Sequence, residues 1–237
     1  MQGPTIIFGL DGTLVDTAPD LVQTLNVVLG REGLPPLPYA DARLLVGGGA
    51  RRMIERGLAN EGKTCSAAEL DRMFGDFIAY YSDHVADHSR VFPGVVEALD
   101  TLAARGCRLA VCTNKLEWLS VRLLTALGLA DRFAAICGQD TFKVPKPHPN
   151  ALHGTLARAG GTLHSAVMVG DSGTDIATAR AVGMPVIAVD FGYTETPVDQ
   201  LGPDRIISHF NDLPDSIADV LNLGDSLATA AKAAGKV

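Results

Sequence analysis

The chain of 237 residues has only four cysteines, Cys65, Cys107, Cys112 and Cys137, and no two of them form a CxxC pair. That scatter suits neither a zinc site nor a disulfide framework, so the thiols are expected to be reduced and mostly packed. No apolar run approaches the roughly 18 residues that span a bilayer, and Met1-Gln2-Gly3-Pro4 lacks the basic start and apolar stretch of a signal peptide. A cytoplasmic protein without a membrane partner is therefore expected. Positive charge is also scarce, with 20 Lys and Arg against 27 Asp and Glu, a net charge of −7. Nucleic acid and anionic membranes need a clustered positive field, so neither is an expected partner. Gly47-Gly48-Gly49 lacks the following Lys-Ser or Lys-Thr of a nucleotide loop. His84 and His88 are not part of an HExxH pair and read as a solvated helix face.

What is present is ordinary globular material: 47% of residues are hydrophobic and 20% charged, enough for one large domain or two unequal ones. Thr5 to Phe8, Arg108 to Cys112, Ala166 to Val169 and Pro185 to Val189 are short apolar runs that read as buried strands. Between them lie helical patterns over Gly94–Ala104, Leu116–Leu127, Asn150–Ala159 and Thr174–Val182, several closed by a glycine. This alternation predicts an α/β fold with a parallel sheet covered by helices on both faces. Residues 17–90 break the rhythm, with helical runs but no convincing strand, and are expected to form an inserted helical domain. The core domain is then discontinuous, residues 1–16 plus 91–223, and the Ala- and Lys-rich stretch 224–237 is expected to be a frayed helix or disordered.

Four segments fall at the ends of expected strands: Gly9 to Asp16, Cys112 to Lys115, Lys146 to Pro149, and Gly170 to Asp175. Open α/β sheets bind ligands in the crevice beyond those ends. Together the segments supply carboxylates, a hydroxyl, a lysine and turn glycines. A metal-assisted phosphoryl-transfer site needs that set: hard oxygen ligands for Mg²⁺, plus donors and a fixed cation for the phosphate oxygens.

The four motifs, in this order and with helical material between the first and second, resemble the haloacid dehalogenase superfamily. Within it they resemble the branch with a small helical cap, and most of all the phosphoglycolate phosphatases. Val46-Gly47-Gly48-Gly49-Ala50, Thr113-Asn114-Lys115 and Phe191-Gly192-Tyr193 add to the likeness. The resemblance implies a Rossmann-like parallel sheet with a cap, Mg²⁺ as cofactor, a small phosphorylated carboxylate as substrate, and a monomer or homodimer. In the family an aspartate two residues before Asp11 attacks phosphorus; here Gly9 stands in that place. Glycine closes the covalent route, and turnover is expected to fall by several orders of magnitude.

The other positions keep the roles the resemblance implies. Asp11 is the general acid and base, and its backbone carbonyl is a metal ligand. Thr113 bonds a phosphoryl oxygen with Asn114 as a neighbouring donor, and Lys146 neutralises developing charge. Asp171 ligates Mg²⁺ directly, while Asp175 reaches the ion through water or orients Lys146. Leu10, Asp11 and Gly12 offer backbone amides to the phosphate. Arg52 or Arg51, with the Gly-rich cap turn, meets the substrate's carboxylate. Plainer readings stand beside these: Asp16 as the cap of the first inserted helix, and Arg51 and Arg52 as solvated. A non-catalytic phospho-ligand binder and a phosphatase for another small phosphoester are the rival functions.

Overall fold

Alternation along each strand decides which layer a side chain meets. Ile6 and Phe8 point to one side of the sheet and Ile7 to the other, and all three are fully buried. Leu109 and Val111 face one core while Ala110 and Cys112 face the second, and Val167 and Val169 likewise oppose Ala166 and Met168. Strands apolar on both faces need cover on both, which only a parallel sheet sandwiched by helices provides.

The computed structural model describes residues 3–222. After β1 (Thr5–Phe8) a tight turn leads to β2 (Val15–Asp16), which pairs antiparallel with β3 (Arg90–Val91). Between β2 and β3 run four helices: α1 (Ala18–Arg31), α2 (Tyr39–Arg43), α3 (Ala50–Asn60) and α4 (Ala67–Asp83). The chain then alternates through α5 (Val95–Ala104), β4 (Arg108–Cys112), α6 (Glu117–Ala126), β5 (Ala135–Cys137), α7 (Pro149–Arg158), β6 (Ala166–Gly170) and α8 (Gly173–Ala181). β7 (Val186–Val189), β8 (Arg205–Ile207) and α9 (Leu213–Val220) complete it.

Six strands form one parallel sheet in the order β5-β4-β1-β6-β7-β8. Helices α7 and α8 cover one face; α5, α6 and α9 cover the other. The chain first grows outward from β1 through β4 and β5, then returns to add β6 on the opposite side. The ends of β1, β4 and β6 therefore meet at the reversal point, where such sheets open a crevice.

Four strands and helix α9 lie outside the expectations. The two-residue β2 and β3, with one pairing bond ladder between them, are too short to read by periodicity. β5 and β8 have three residues each; β5 is apolar but short, and β8 is exposed at Arg205 and Ile206. Asp16 does not cap α1. The N-cap is Thr17, without a side-chain cap bond, and the Asp16 carboxylate accepts the Tyr193 hydroxyl instead. The expectation for residues 224–237 lies outside the described residues.

Candidate active site

The turn after β1 is folded by its own main chain. The Gly9 amide donates to the Val169 carbonyl at 2.8 Å, and the amides of Thr13, Leu14 and Val15 all converge on the Leu10 carbonyl. Gly12 sits at φ +77°, and a Cβ there would come within 2.3 Å of Asp171 Oδ2. Only glycine allows that approach. Its amide is taken by the Val15 carbonyl at 3.0 Å, which leaves Leu10 and Asp11 as the amides of the turn without a protein acceptor among the described residues.

Asp11 Oδ1 accepts the Thr17 hydroxyl at 2.7 Å and lies 3.0 Å from Lys115 Nζ. Thr113 follows β4, and its hydroxyl accepts the Lys115 amide at 3.1 Å, leaving its own proton to donate into the cleft. The Asn114 side chain brackets the next loop: it donates to the Lys146 carbonyl at 3.0 Å and accepts the Lys146 amide at 2.8 Å. Asn114 thus fixes the main chain of Lys146. Lys146 Nζ donates to Asp175 Oδ1 at 2.5 Å, with both side chains buried. Burial presses the Lys146 ammonium down, but the Asp175 carboxylate, with Cys112 and Asp171 adding to it, holds the group above the usual lysine range.

Asp175 is the third residue of α8, whose N-cap is Ser172, and Asp171 lies just ahead of the helix. Its Oδ2 accepts the Ser172 hydroxyl at 2.7 Å and the Asp171 and Ser172 amides at 3.2 Å. Ser172 and Asp175 form a capping box. Both oxygens of Asp175 are therefore engaged, one on Lys146 and one on the helix start.

Asp171 Oδ1 accepts the Thr13 hydroxyl at 2.9 Å and Oδ2 accepts the Tyr193 amide at 2.8 Å. Burial, then the neighbouring Asp175 carboxylate, pushes its carboxyl up to about 7. No three His, Cys, Asp or Glu side chains converge as a metal cluster among the described residues. A buried carboxylate with a spare lone pair on each oxygen and no ion-pair partner of its own fits a hydrated hard cation, since Mg²⁺ keeps several waters and binds through one or two carboxylates. The fit rests on Asp171, because Asp175 is engaged elsewhere and Gly9 has no side chain.

Helices α1, α3 and α4 form the opposite wall. Lys115, from the loop after β4, lies against it: Nζ donates to the Tyr81 hydroxyl at 3.0 Å and sits 4.5 Å from the centre of that ring. Burial opposes the ammonium, but Asp11 and Tyr81 hold it raised. Burial also lifts the Tyr81 phenol to about 12. The space between the walls measures about 820 Å³ with its open mouth, and is lined by Asp11, Thr113, Asn114, Lys146, Asp171 and Asp175 on one side. Gly47 to Ala50, Phe74, Phe77 and Tyr81 line the other.

One cleft thus gathers Gly9, Leu10, Asp11, Thr113, Asn114, Lys146, Asp171 and Asp175. It does not gather the arginines. Arg52 is exposed, and Arg51 pairs with Asp71 at 2.6 Å and stacks on Phe74. Gly12 lies beneath the cleft, against Asp171. Lys115, Tyr81 and Thr17 were not anticipated as contributors. Only the Ser172-to-Asp175 spacing, the sequence mark of a capping box, announces any of the supporting contacts.

The sequence profile of the haloacid dehalogenase-like hydrolase family matches residues 6–189. A phosphoglycolate phosphatase of Mesorhizobium japonicum is 48% identical over 221 residues, covering 93% of this chain and 97% of the relative. One from Caulobacter vibrioides is 48% identical over 214 residues, covering 90% of each. Among solved structures, a Haemophilus somnus 129PT protein described as a predicted phosphoglycolate phosphatase superposes with a TM-score of 0.84 at 31% identity, over 91% of this chain and 98% of that one.

Proposed function

Since the chain belongs to the haloacid dehalogenase-like hydrolase family, we propose that it is built as a Mg²⁺-dependent phosphomonoester hydrolase of the phosphoglycolate phosphatase type, with turnover held down by Gly9. The observation that carries this reading is the convergence of Asp11, Thr113, Lys146 and Asp171 on one cleft at the reversal point of the sheet. Residues 17–90 act as its cap, and the substrate is a small phosphorylated carboxylate such as 2-phosphoglycolate, the substrate that the relatives' name carries.

The chain's own groups divide the work by their contacts. The Thr113 hydroxyl and the free Leu10 and Asp11 amides are the donors for phosphoryl oxygens. Lys146 supplies a fixed positive charge, aimed by Asp175 and anchored by Asn114. Asp11 stands ready to donate a proton to the departing alkoxide and take one from water. Asp171 would hold Mg²⁺, with the Asp11 main-chain carbonyl as a second oxygen, and the ion when bound supplies neutralisation of the phosphoryl charge. Gly9 brings no nucleophile, so attack falls to water and the two-step covalent route is closed.

The test is phosphate release from 2-phosphoglycolate with Mg²⁺ present, comparing the chain with Gly9→Asp. A Cβ at position 9 would lie 2.6 Å from Thr13 Oγ1, so the hydroxyl must rotate away to admit the carboxylate. We expect the substituted chain to be faster by roughly a thousandfold or more. Equal rates would remove the role given to position 9. Tight binding without turnover in both forms would favour the rival reading of a phospho-ligand binder.

A further inference from the structure

The cleft holds a second buried cation that the phosphoryl chemistry does not use. Lys115 is 8% exposed and lies on the cleft wall nearest the inserted helices. An ammonium carries three N–H donors. Asp11 Oδ1 is its ion-pair partner at 3.0 Å and the Tyr81 hydroxyl accepts one N–H at 3.0 Å, which leaves an N–H without a protein acceptor among the described residues. The wall around it is apolar, formed by Phe74, Phe77 and Leu119 with the face of the Tyr81 ring. Of the arginines of α3, Arg51 is held by Asp71 and Phe74, and Arg52 is exposed beside Gly48 and does not line the cleft.

From these contacts we infer that Lys115 is the specificity-determining group for the non-phosphoryl end of the substrate, receiving its carboxylate through the unpartnered N–H. The inference rests on the phosphomonoesterase reading above and adds the residue that selects an anionic substrate. Lys146, paired to Asp175, serves the phosphoryl side; Lys115, beside Asp11, lies where the leaving alkoxide must go, because Asp11 is the group that protonates it. A carboxylate one carbon from that alkoxide oxygen, as in 2-phosphoglycolate, falls within reach of the same ammonium. The Tyr81 hydroxyl and ring, from α4, hold Lys115 against the wall and exclude water from the ion pair, where a charge-assisted bond is strongest.

The test is calorimetric binding of 2-phosphoglycolate and of ethyl phosphate, its analogue without the carboxylate, to the full chain with Mg²⁺. We expect 2-phosphoglycolate to bind about tenfold more tightly, Lys115→Gln to bring the two within about twofold, and Lys115→Arg to keep the preference. Ethyl phosphate affinity should stay within about threefold in both variants, a split that general loss of structure would not produce. In the unsubstituted chain, the ammonium resonance of Lys115 in a nitrogen-15 NMR spectrum should shift with 2-phosphoglycolate and not with ethyl phosphate, which tests the contact even if Lys115→Gln fails to fold. Equal affinities in the unsubstituted chain, or a preference that survives Lys115→Gln, would overturn this inference and leave the phosphomonoesterase reading standing. Failure to bind either ester would overturn both.

Discussion

Asp171 is a carboxylate buried beside a second carboxylate, while the ammonium nearby, that of Lys146, is paired to Asp175 instead. Burial first and Asp175 second lift it to about 7, well above its ordinary value of 3.8. The folded chain therefore holds this proton more tightly than the unfolded one. The stability it contributes is complete below about pH 4 and is lost as pH rises through about 7. Asparagine at 171 carries no such titration and can still accept the Tyr193 amide and donate to the Thr13 hydroxyl. Without divalent cations, Asp171→Asn should melt close to the unsubstituted chain at about pH 4 and clearly higher at about pH 8. A melting difference that stays flat with pH, measured by calorimetry in chelator, would show that Asp171 is not titrating in this range. Added Mg²⁺ should narrow the difference at the higher pH, since the cation compensates the same charge that asparagine removes.

At the scale of elements, the start of α1 and the return to β3 are held together by one side chain. Asp20, in the first turn of α1 and 2% exposed, accepts the His88 amide at 3.0 Å, the Ser89 amide at 2.8 Å and the Ser89 hydroxyl at 2.6 Å. Truncation leaves the buried Ser89 donors without a partner, so Asp20→Ala should lower unfolding free energy by roughly 2–4 kcal/mol in urea titrations. A loss within about 0.5 kcal/mol would mean that this junction contributes nothing to stability. Asp20 also marks what the sequence can and cannot disclose. The strands β1, β4, β6 and β7 and the helices α5 to α8 were legible because their periodicity is set by burial on their own faces. Asp11, Thr113, Lys146 and Asp171 were legible because each sits within a residue or a short loop of a strand end. The contacts that aim them were not: Lys115 on Asp11, Asn114 on Lys146 and Tyr193 on both Asp171 and Asp16 join residues 22 to 177 positions apart. No local pattern encodes such a pairing. The arginines of α3 show the converse, since their charge and place beside a glycine turn suggested ligand contact, and the acidic Asp71 one helix away takes Arg51 instead.

For the whole molecule, the two layers of the sheet are not equally dependent on the inserted helices. The core against α7 and α8, from Ile7 through Leu152, Met168 and Ile176 to Val198, contains no residue between 17 and 90. The other core runs continuously from Phe8 and Val111 through Leu14 into Leu25, Ile54 and Phe77. The insertion leaves and re-enters through the β2–β3 pair, where Asp16 and Arg90 are directly opposed. Ends that already lie side by side can be joined by a two-residue turn of the kind that suits a hairpin. Replacing residues 17–89 with Asn-Gly should therefore yield a chain that still unfolds cooperatively, at a lower temperature, because one face of the sheet keeps its packing while the other exposes Leu10 and Leu14. Removal of Tyr81 and the apolar wall also opens Lys115 to water, where screening weakens its pull on a carboxylate. The shortened chain should then bind 2-phosphoglycolate and ethyl phosphate alike while retaining weak affinity for both, because Thr113 and Lys146 remain. Calorimetry and a dye for exposed apolar surface decide the matter: a broad, non-cooperative melt with strong dye binding would mean that the sheet cannot stand without the inserted helices.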